Sequence, residues 1–265
     1  MFARIAVDVH LHFYESYDQE RFWQSLCDNL AFGAAERFCE NIQLQKMVLL
    51  TEASGCNMFS RWAVPGASAP GGFTFSPTDE PYSLALNRRG ERLVLIVSGR
   101  QIVTAERLEV LTAGVFPAIP DGWPLPEVAA GLAEAGALAI IPWGAGKWLG
   151  RRGHLVKRIA ASNTDPTLFL ADNPARPVFW PAPRIFCTME SRGKAVLRGS
   201  DPLPLPGEEK RAGAFASLLE GDFDPMRPLS SLKKILAQNG RVQGFGRRDG
   251  MVTFFRRQIG LRLRG

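Results

Sequence analysis

The sequence predicts a single α/β domain, most simply a barrel with a polar site at one mouth. Three observations carry that expectation. At 265 residues, 46% hydrophobic and 22% charged, the chain is long enough for one α/β barrel and short for two ordinary domains. Apolar runs of strand length alternate with amphipathic stretches, which is the pattern of a largely parallel sheet, open or closed. Two of the three histidines, His10 and His12, stand two residues apart at the end of the first strand, where the active sites of parallel α/β folds gather.

Taken in order, Arg4–Val9 reads as a buried strand, Asp18–Gln43 as a helix entered through acidic residues, and Lys46–Leu50 as a second strand. Pro65–Pro81 is rich in Gly, Pro, Ser and Thr and reads as a long loop. Tyr82–Asn87 and Arg92–Val97 flank Arg88-Arg89-Gly90 as a hairpin, and Gln101–Thr104 and Leu108–Thr112 are short extended segments. A helix is expected over Leu125–Glu134 and a buried strand over Ala137–Ile141. The glycine-rich Gly144–Gly153 and a helix near His154–Ala161 follow. Thr167–Ala171 and Ala195–Leu197 complete the strands, and Glu208–Leu219 and Leu229–Gln238 the helices. With no internal repeat and no linker, residues 1–239 form the expected barrel domain and residues 240–265 an Arg-rich C-terminal extension.

The formal charge of +6 is located there: residues 240–265 hold seven arginines and one acid, Asp249, so residues 1–239 are about neutral. Val252, Phe255, Ile259 and Leu263 recur at helical spacing with Arg256, Arg257, Arg262 and Arg264 around them. Such a helix either docks its apolar side on its own domain, arginines in water, or lies on an anionic membrane surface or an acidic partner. A hairpin turned at Asp249-Gly250 is the alternative. Nucleic acid is not expected, because no aromatic-interleaved strand motif accompanies the arginines. The four cysteines, Cys27, Cys39, Cys56 and Cys187, form no C-x-x-C pair and suggest a reducing compartment and small buried hydrophobes. The N-terminal segment lacks a basic n-region followed by a long apolar run, and no stretch reaches the roughly 18 apolar residues of a spanning helix. A cytoplasmic location is the expectation.

In Asp8-Val9-His10-Leu11-His12 the two imidazoles share one face of a strand, as two ligands of one metal must. Hydrogen bonding within a polar barrel mouth is the plainer account of the same pair. Gly144–Gly153 opens a helix after a strand, where backbone amides with Lys147, Arg151 and Arg152 can meet an anion. It is not a P-loop, since Ile141 and Trp148 stand where Gly and Ser or Thr are needed. Arg176, in Asp172-Asn173-Pro174-Ala175-Arg176-Pro177, can bind a phosphate or carboxylate in bidentate fashion, although a turn held by Asn and Pro explains the segment more simply.

Asp-x-His-x-His at a first strand occurs in amidohydrolases and in the PHP (polymerase and histidinol phosphatase) superfamily, and later segments resemble the latter. Lys46–Ala53 resembles a PHP strand ending in Thr-Asp-His, here Thr51-Glu52-Ala53. Gly99-Arg100-Gln101 through Leu108-Glu109-Val110-Leu111 resembles a segment with a ligand Glu and then a His, here Gln101 and Glu109. Ala139–Gly144 resembles a strand ending Ala-His-Pro, with Trp143 near the His place. Gly199-Ser200-Asp201-Pro202-Leu203 resembles Gly-Ser-Asp-Ala-His, keeping the aspartate. The resemblance runs in order over about residues 1–219 and implies a PHP-like distorted (β/α)7, TIM-like barrel with metal-dependent phosphoesterase chemistry. Ala53 and Leu203 cannot ligate, Gln101 is a weaker ligand than glutamate, and Trp143 offers only an N–H, so no trinuclear centre is expected. What the resemblance leaves is His10, His12 and Asp201 as ligands of one divalent ion, Zn²⁺, Mn²⁺ or Fe²⁺. Glu52 or Glu109 would serve as base, and Arg100, Gln101, Lys147, Arg152 and Arg176 as contacts to an anionic small-molecule substrate. The two histidines can also act as an acid–base pair without metal. The alternative is a catalytically silent barrel, metal-free, that binds a ligand or partner.

Overall fold

The computed structural model describes residues 1–35, 44–114, 118–162, 166–238 and 242–263. The first strand, β1 (Phe2–Leu11), is buried along nearly its whole length. α1 (Gln19–Ala35) starts where the Asp18 carboxylate accepts the backbone N–H of Arg21. It buries Phe22, Trp23, Leu26, Cys27, Leu30 and Ala34, the spacing of one helix face. The part of this helix expected beyond residue 35 lies outside the described residues, as does Cys39. Of the other cysteines, Cys27 is buried, while Cys56 and Cys187 are exposed rather than packed inside.

β2 (Leu44–Glu52) is followed by α2 (Met58–Trp62), a short helix not expected from the sequence. The segment read as a loop between Pro65 and Pro81 instead carries β3 (Ser68–Ala69) and β4 (Phe73–Pro77), which pair with each other. β4 then pairs with β5 (Ser83–Arg88) because Phe73 and Phe75 alternate inward toward Trp23. The hairpin at Arg88–Gly90 joins β5 to the long β6 (Glu91–Val103), which absorbs the extended segment at Gln101–Thr104. β7 (Glu109–Ala113), α3 (Leu125–Glu134), β8 (Leu138–Pro142), α4 (Gly150–Ser162), β9 (Leu168–Asp172), α5 (Arg184–Ser191) and β10 (Val196–Arg198) follow. The helix expected over Glu208–Leu219 is replaced by one 3-10 turn at Glu208–Arg211 and then β11 (Ala216–Asp222). Gly213 interrupts it at a φ of 74°, and pairing of β11 with β1 outweighs helix propensity. α6 (Pro228–Gln238), β12 (Gln243–Phe245) and α7 (Met251–Arg262) complete the chain. Among the described residues no helix is long and apolar enough to cross a membrane.

The strand order is β10-β9-β8-β7-β6-β2-β1-β11-β12, with β5, β4 and β3 branching from β6. β1–β2–β6 and β8–β9–β10 are parallel, but β7 runs antiparallel between β6 and β8, and β11 antiparallel to β1. The result is a mixed α/β domain in which strands and helices do not alternate regularly. Its sheet curls until the end of β10 meets β1 and β11: Arg198 N donates to Ser217 Oγ at 2.8 Å, and Asp201 N to the His10 carbonyl at 2.8 Å. The sheet is therefore nearly closed and barrel-like. One cluster fills its inside with Ile5, Val7 and Val9 of β1, Met47 and Leu49 of β2, Leu95 and Val97 of β6, Leu111, Ile140, Phe169, Leu197 and Leu219, and α6 covers it through Leu232 and Ile235. Two outer clusters seat α1 and α2 on one flank and α3, α4 and α5 on the other.

The C-terminal segment forms the expected helix but reverses its expected orientation. β12 pairs with β11, and Met251–Arg262 is a helix rather than the second arm of a hairpin. Val252, Phe255, Ile259 and Leu263, expected to dock, are all exposed, while Arg257 points inward and is only 3% exposed. The reason is electrostatic. Arg257 meets Asp249 Oδ2 at 2.8 Å, Glu208 Oε2 at 2.9 Å and the Asp201 carbonyl at 2.8 Å. Burial works against its charge, but Glu208, Asp201 and Asp249 more than offset this.

Two substitutions test these joints. A Cβ at Gly199 would lie 2.3 Å from His10 Cβ and 2.5 Å from its backbone nitrogen. Gly199→Ala is therefore expected to cost about 1–3 kcal/mol or more, read as a fall in melting temperature of roughly 2–4 °C per kcal/mol. Arg257→Met leaves buried carboxylates short of their cation and is expected to destabilise by about 3–5 kcal/mol in denaturant titration. A change below about 1 kcal/mol would show that this buried pair does not hold the helix.

Candidate metal centre

β1 carries the site because its end is pinned. The buried Asp8 carboxylate accepts hydrogen bonds from His10 N (3.1 Å), Ser200 N (2.9 Å), Ser200 Oγ (2.5 Å) and Gly213 N (3.1 Å). Burial pushes its carboxyl up to about 6, with the bonds from Ser200 and His10 opposing the rise. Beyond Asp8 the pairing with β2 shifts register, and the two imidazoles converge: His10 Nε2 and His12 Nε2 are 2.9 Å apart. The Thr51 backbone and the Gln101 side chain favour the charged form of His12, yet burial first and then His10 lower its pKa to about 4. It is therefore neutral at neutral pH, with a lone pair to offer.

Asp201 arrives from the loop after β10. It is one of three non-glycine residues in the described chain with positive φ, at 46°. This costly conformation is held by its N–H on the His10 carbonyl, by Asn173 Nδ2 on Oδ2 at 3.1 Å and by Arg257 on its own carbonyl. Oδ1 lies 3.6 Å from His10 Nε2 and 3.8 Å from His12 Nε2. Burial alone would raise the Asp201 carboxyl, but His10, His12, Arg257 and Lys147 outweigh it and hold it below its usual value. Separations of 2.9, 3.6 and 3.8 Å place one point about 2.0 Å from all three donor atoms, within the bond lengths of about 2.0–2.2 Å that Zn²⁺ takes with imidazole and carboxylate. The set fits a single divalent ion, and it is the one His/Cys/Asp/Glu group of ligand spacing among the described residues.

A cavity of about 330 Å³ opens beside this triangle, lined by His12, Tyr14, Gln101, Glu109, Trp143, Lys147, Asn173 and Asp201, with Gln258 and Leu261 of α7 at its edge. Lys147 Nζ is ion-paired with Glu109. Gln101, Glu109 and Lys147 thus stand around the ligands. The other expected contacts do not. Glu52 accepts the backbone N–H of Met58 at the start of α2, and burial raises its pKa. Arg100 turns away to the Ile119 carbonyl (2.9 Å) and Asp121 (3.6 Å). Arg152 donates to the Gly146 carbonyl. Arg176 forms a buried two-point pair with Asp172, Nε to Oδ1 at 2.7 Å and Nη2 to Oδ2 at 2.5 Å.

Three site residues escaped the sequence reading. Tyr14 lies just past the end of β1, two residues after His12 and beside its ring at 5.9 Å, where no strand period points to it. Burial first, and the Asp201 carboxylate among its other neighbours, hold its phenol above the usual value, so it remains a proton donor. Asn173, read only as a turn residue, bonds both Asp201 and the Trp143 carbonyl. Arg257 lay hidden in a tail whose arginines look alike.

No family model and no curated protein matches the sequence. Solved structures do match in shape. The chain is similar to PsfC from Pseudomonas syringae PB-5123, with a TM-score of 0.57, 13% identity, and coverage of 99% of this chain and 98% of that one. Weaker likenesses, with TM-scores of 0.47 and 0.46, are to Endonuclease Q in complex with a 27-mer duplex bearing an abasic lesion (12% identity) and to the lesion-specific endonuclease PfuEndoQ from Pyrococcus furiosus (14% identity). They cover 90% and 91% of this chain and 57% of each of those. The chain shares the overall fold of PsfC across the full length of both.

Proposed function

We propose that the protein is a divergent PHP-type hydrolase that binds one divalent metal and cleaves an anionic small substrate, with a phosphoester as the expected class. The observation that carries this reading is the convergence of His10 Nε2, His12 Nε2 and Asp201 Oδ1 around one point at the edge of a polar cavity. The five segments resembling PHP motifs support the family, and the loss of its other ligands restricts the site to one ion. Zn²⁺, Mn²⁺ or Fe²⁺ held there supplies Lewis acidity toward a phosphoryl oxygen and toward water.

The chain's own groups divide the remaining work. Gln101 and the Thr51 backbone fix the His12 ring, while Asn173 and Arg257 fix Asp201. Lys147 is the cation positioned to meet the substrate anion. As it turns from Glu109 toward that anion, Glu109 is released as the base that takes a proton from water. Tyr14, kept protonated, faces the leaving-group oxygen as a donor. The Lys147–Glu109 pair inside the cavity equally suits a silent protein in which an anionic ligand displaces Glu109 without turnover.

Metal content, measured by plasma mass spectrometry on untagged protein purified without chelator, tests the reading. About one equivalent is expected in the wild type and none in His10→Ala/His12→Ala. No uptake in the wild type after soaking with Zn²⁺ and Mn²⁺ would overturn it. In the metal-loaded enzyme Glu109→Gln is expected to lower kcat by about 10²–10⁴, while Lys147→Met chiefly raises KM for anionic substrates. Metal uptake with no turnover of any phosphoester would select the silent binding protein.

A further inference from the structure

The outward side of α7 has no role in the site described above. Around the helix axis Val252, Phe255, Ile259 and Leu263 form one stripe, 52% to 83% exposed. At 100° per residue Arg256 falls on one side of that stripe and Arg262 on the other, and both are exposed. Val178 and Phe179 are also exposed, and Phe179 packs edge-on against Phe254 at 6.0 Å, on the flank of the helix between the stripe and Arg257. From residue 242 to 263 the one acidic residue, Asp249, is buried against Arg257 and Arg211. The surface is therefore apolar at its centre and cationic at its margins, with no exposed carboxylate on the helix. Alongside Val252, a groove of about 560 Å³ is lined by Lys210, Arg211 and Arg256, with Glu208 neutralised in its wall by Arg257.

We infer that α7 is an interfacial helix that seats the protein on an anionic phospholipid surface. The stripe of Val252, Phe255, Ile259 and Leu263 enters the headgroup boundary, and Arg256, Arg262 and Lys210 meet lipid phosphates. Charge selects this occupant. A second copy related by two-fold symmetry would set the same arginines against each other with no exposed acid on the helix to offset them, whereas an anionic bilayer complements them. The helix is also too short to span, and a 12-residue stripe flanked by arginines suits the interface plane. Arg257 makes the arrangement available without unfolding, because it anchors the opposite side of the helix while the apolar side remains outside.

Co-sedimentation of the full chain with vesicles tests this, comparing phosphatidylcholine alone with mixtures in which phosphatidylglycerol is about one third of the lipid. Binding to the anionic vesicles alone is expected, weakening as salt is raised. Arg256→Glu/Arg262→Glu is expected to lower the binding constant roughly tenfold or more, and Phe255→Glu/Ile259→Glu to abolish binding. These positions face solvent, so both variants should keep the wild-type melting temperature and metal content. The inference is overturned if the wild type ignores anionic vesicles, if it binds neutral and anionic vesicles alike, or if folded Phe255→Glu/Ile259→Glu sediments as the wild type does. Self-association in light scattering without vesicle binding would also overturn it and give the surface to a second copy.

Discussion

A single buried carboxylate organises this molecule. Asp8 sits at the end of β1 and accepts four hydrogen bonds, from its own strand, from the loop after β10 and from the loop before β11. A carboxylate removed from water is costly unless its lone pairs are filled, and here donors at Ser200 and Gly213 reach it from 192 and 205 residues away in the chain. Satisfying Asp8 therefore draws the two ends of the sheet together. Gly199 must then pass within contact of His10, and Asp201 must take a left-handed backbone to continue. The triangle of His10, His12 and Asp201 is a by-product of that closure.

The same economy of buried charge governs the C-terminal helix. An apolar stripe would ordinarily go inward, at roughly 25 cal/mol per Å² of area removed from water. Here Asp249 and Glu208 are buried with Arg211 as one cation between them, and leaving the pair one positive charge short costs several kcal/mol. Arg257 supplies that charge, and the helix turns its apolar side out as a consequence. Burial of a few aliphatic side chains is the smaller effect, so polarity is reversed at this one element.

The reach of the sequence follows from which of these effects are local. His10 and His12 are legible as a pair because they stand close together at a strand end, and Asp201 because Gly199-Ser200-Asp201 resembles a known motif; the bulge after Asp8 that turns both rings to one point is not legible. Helices α3 and α6 and the β5–β6 hairpin were legible from periodicity and turn residues. β11 was not, because its strand character comes from pairing with β1 across more than 200 residues. Glu52 and Arg176 show the limit for sites: a carboxylate at a strand end and a guanidinium after a strand look available until partners are known. In the folded chain α2 and Asp172 take them. Arg257 is indistinguishable in sequence from its exposed neighbours, and only the positions of Asp249 and Glu208 single it out.

The antiparallel β7 has a further consequence. Gln101 and Glu109 stand on neighbouring strands of one hairpin, in register as Gln101 with Leu111 and Val103 with Glu109. The turn between them is closed by the Thr104 N–H on the Leu108 carbonyl and by Arg107 at a φ of 60°. A residue gained or lost in that turn would slide β7 by one place and carry the Glu109 side chain to the opposite face. His10 and His12, at the end of β1 and just beyond it, would be untouched. The cluster of His10, His12 and Asp201 and the placement of Glu109 therefore rest on separate features, one on the closure of the sheet and the other on the length of a surface turn.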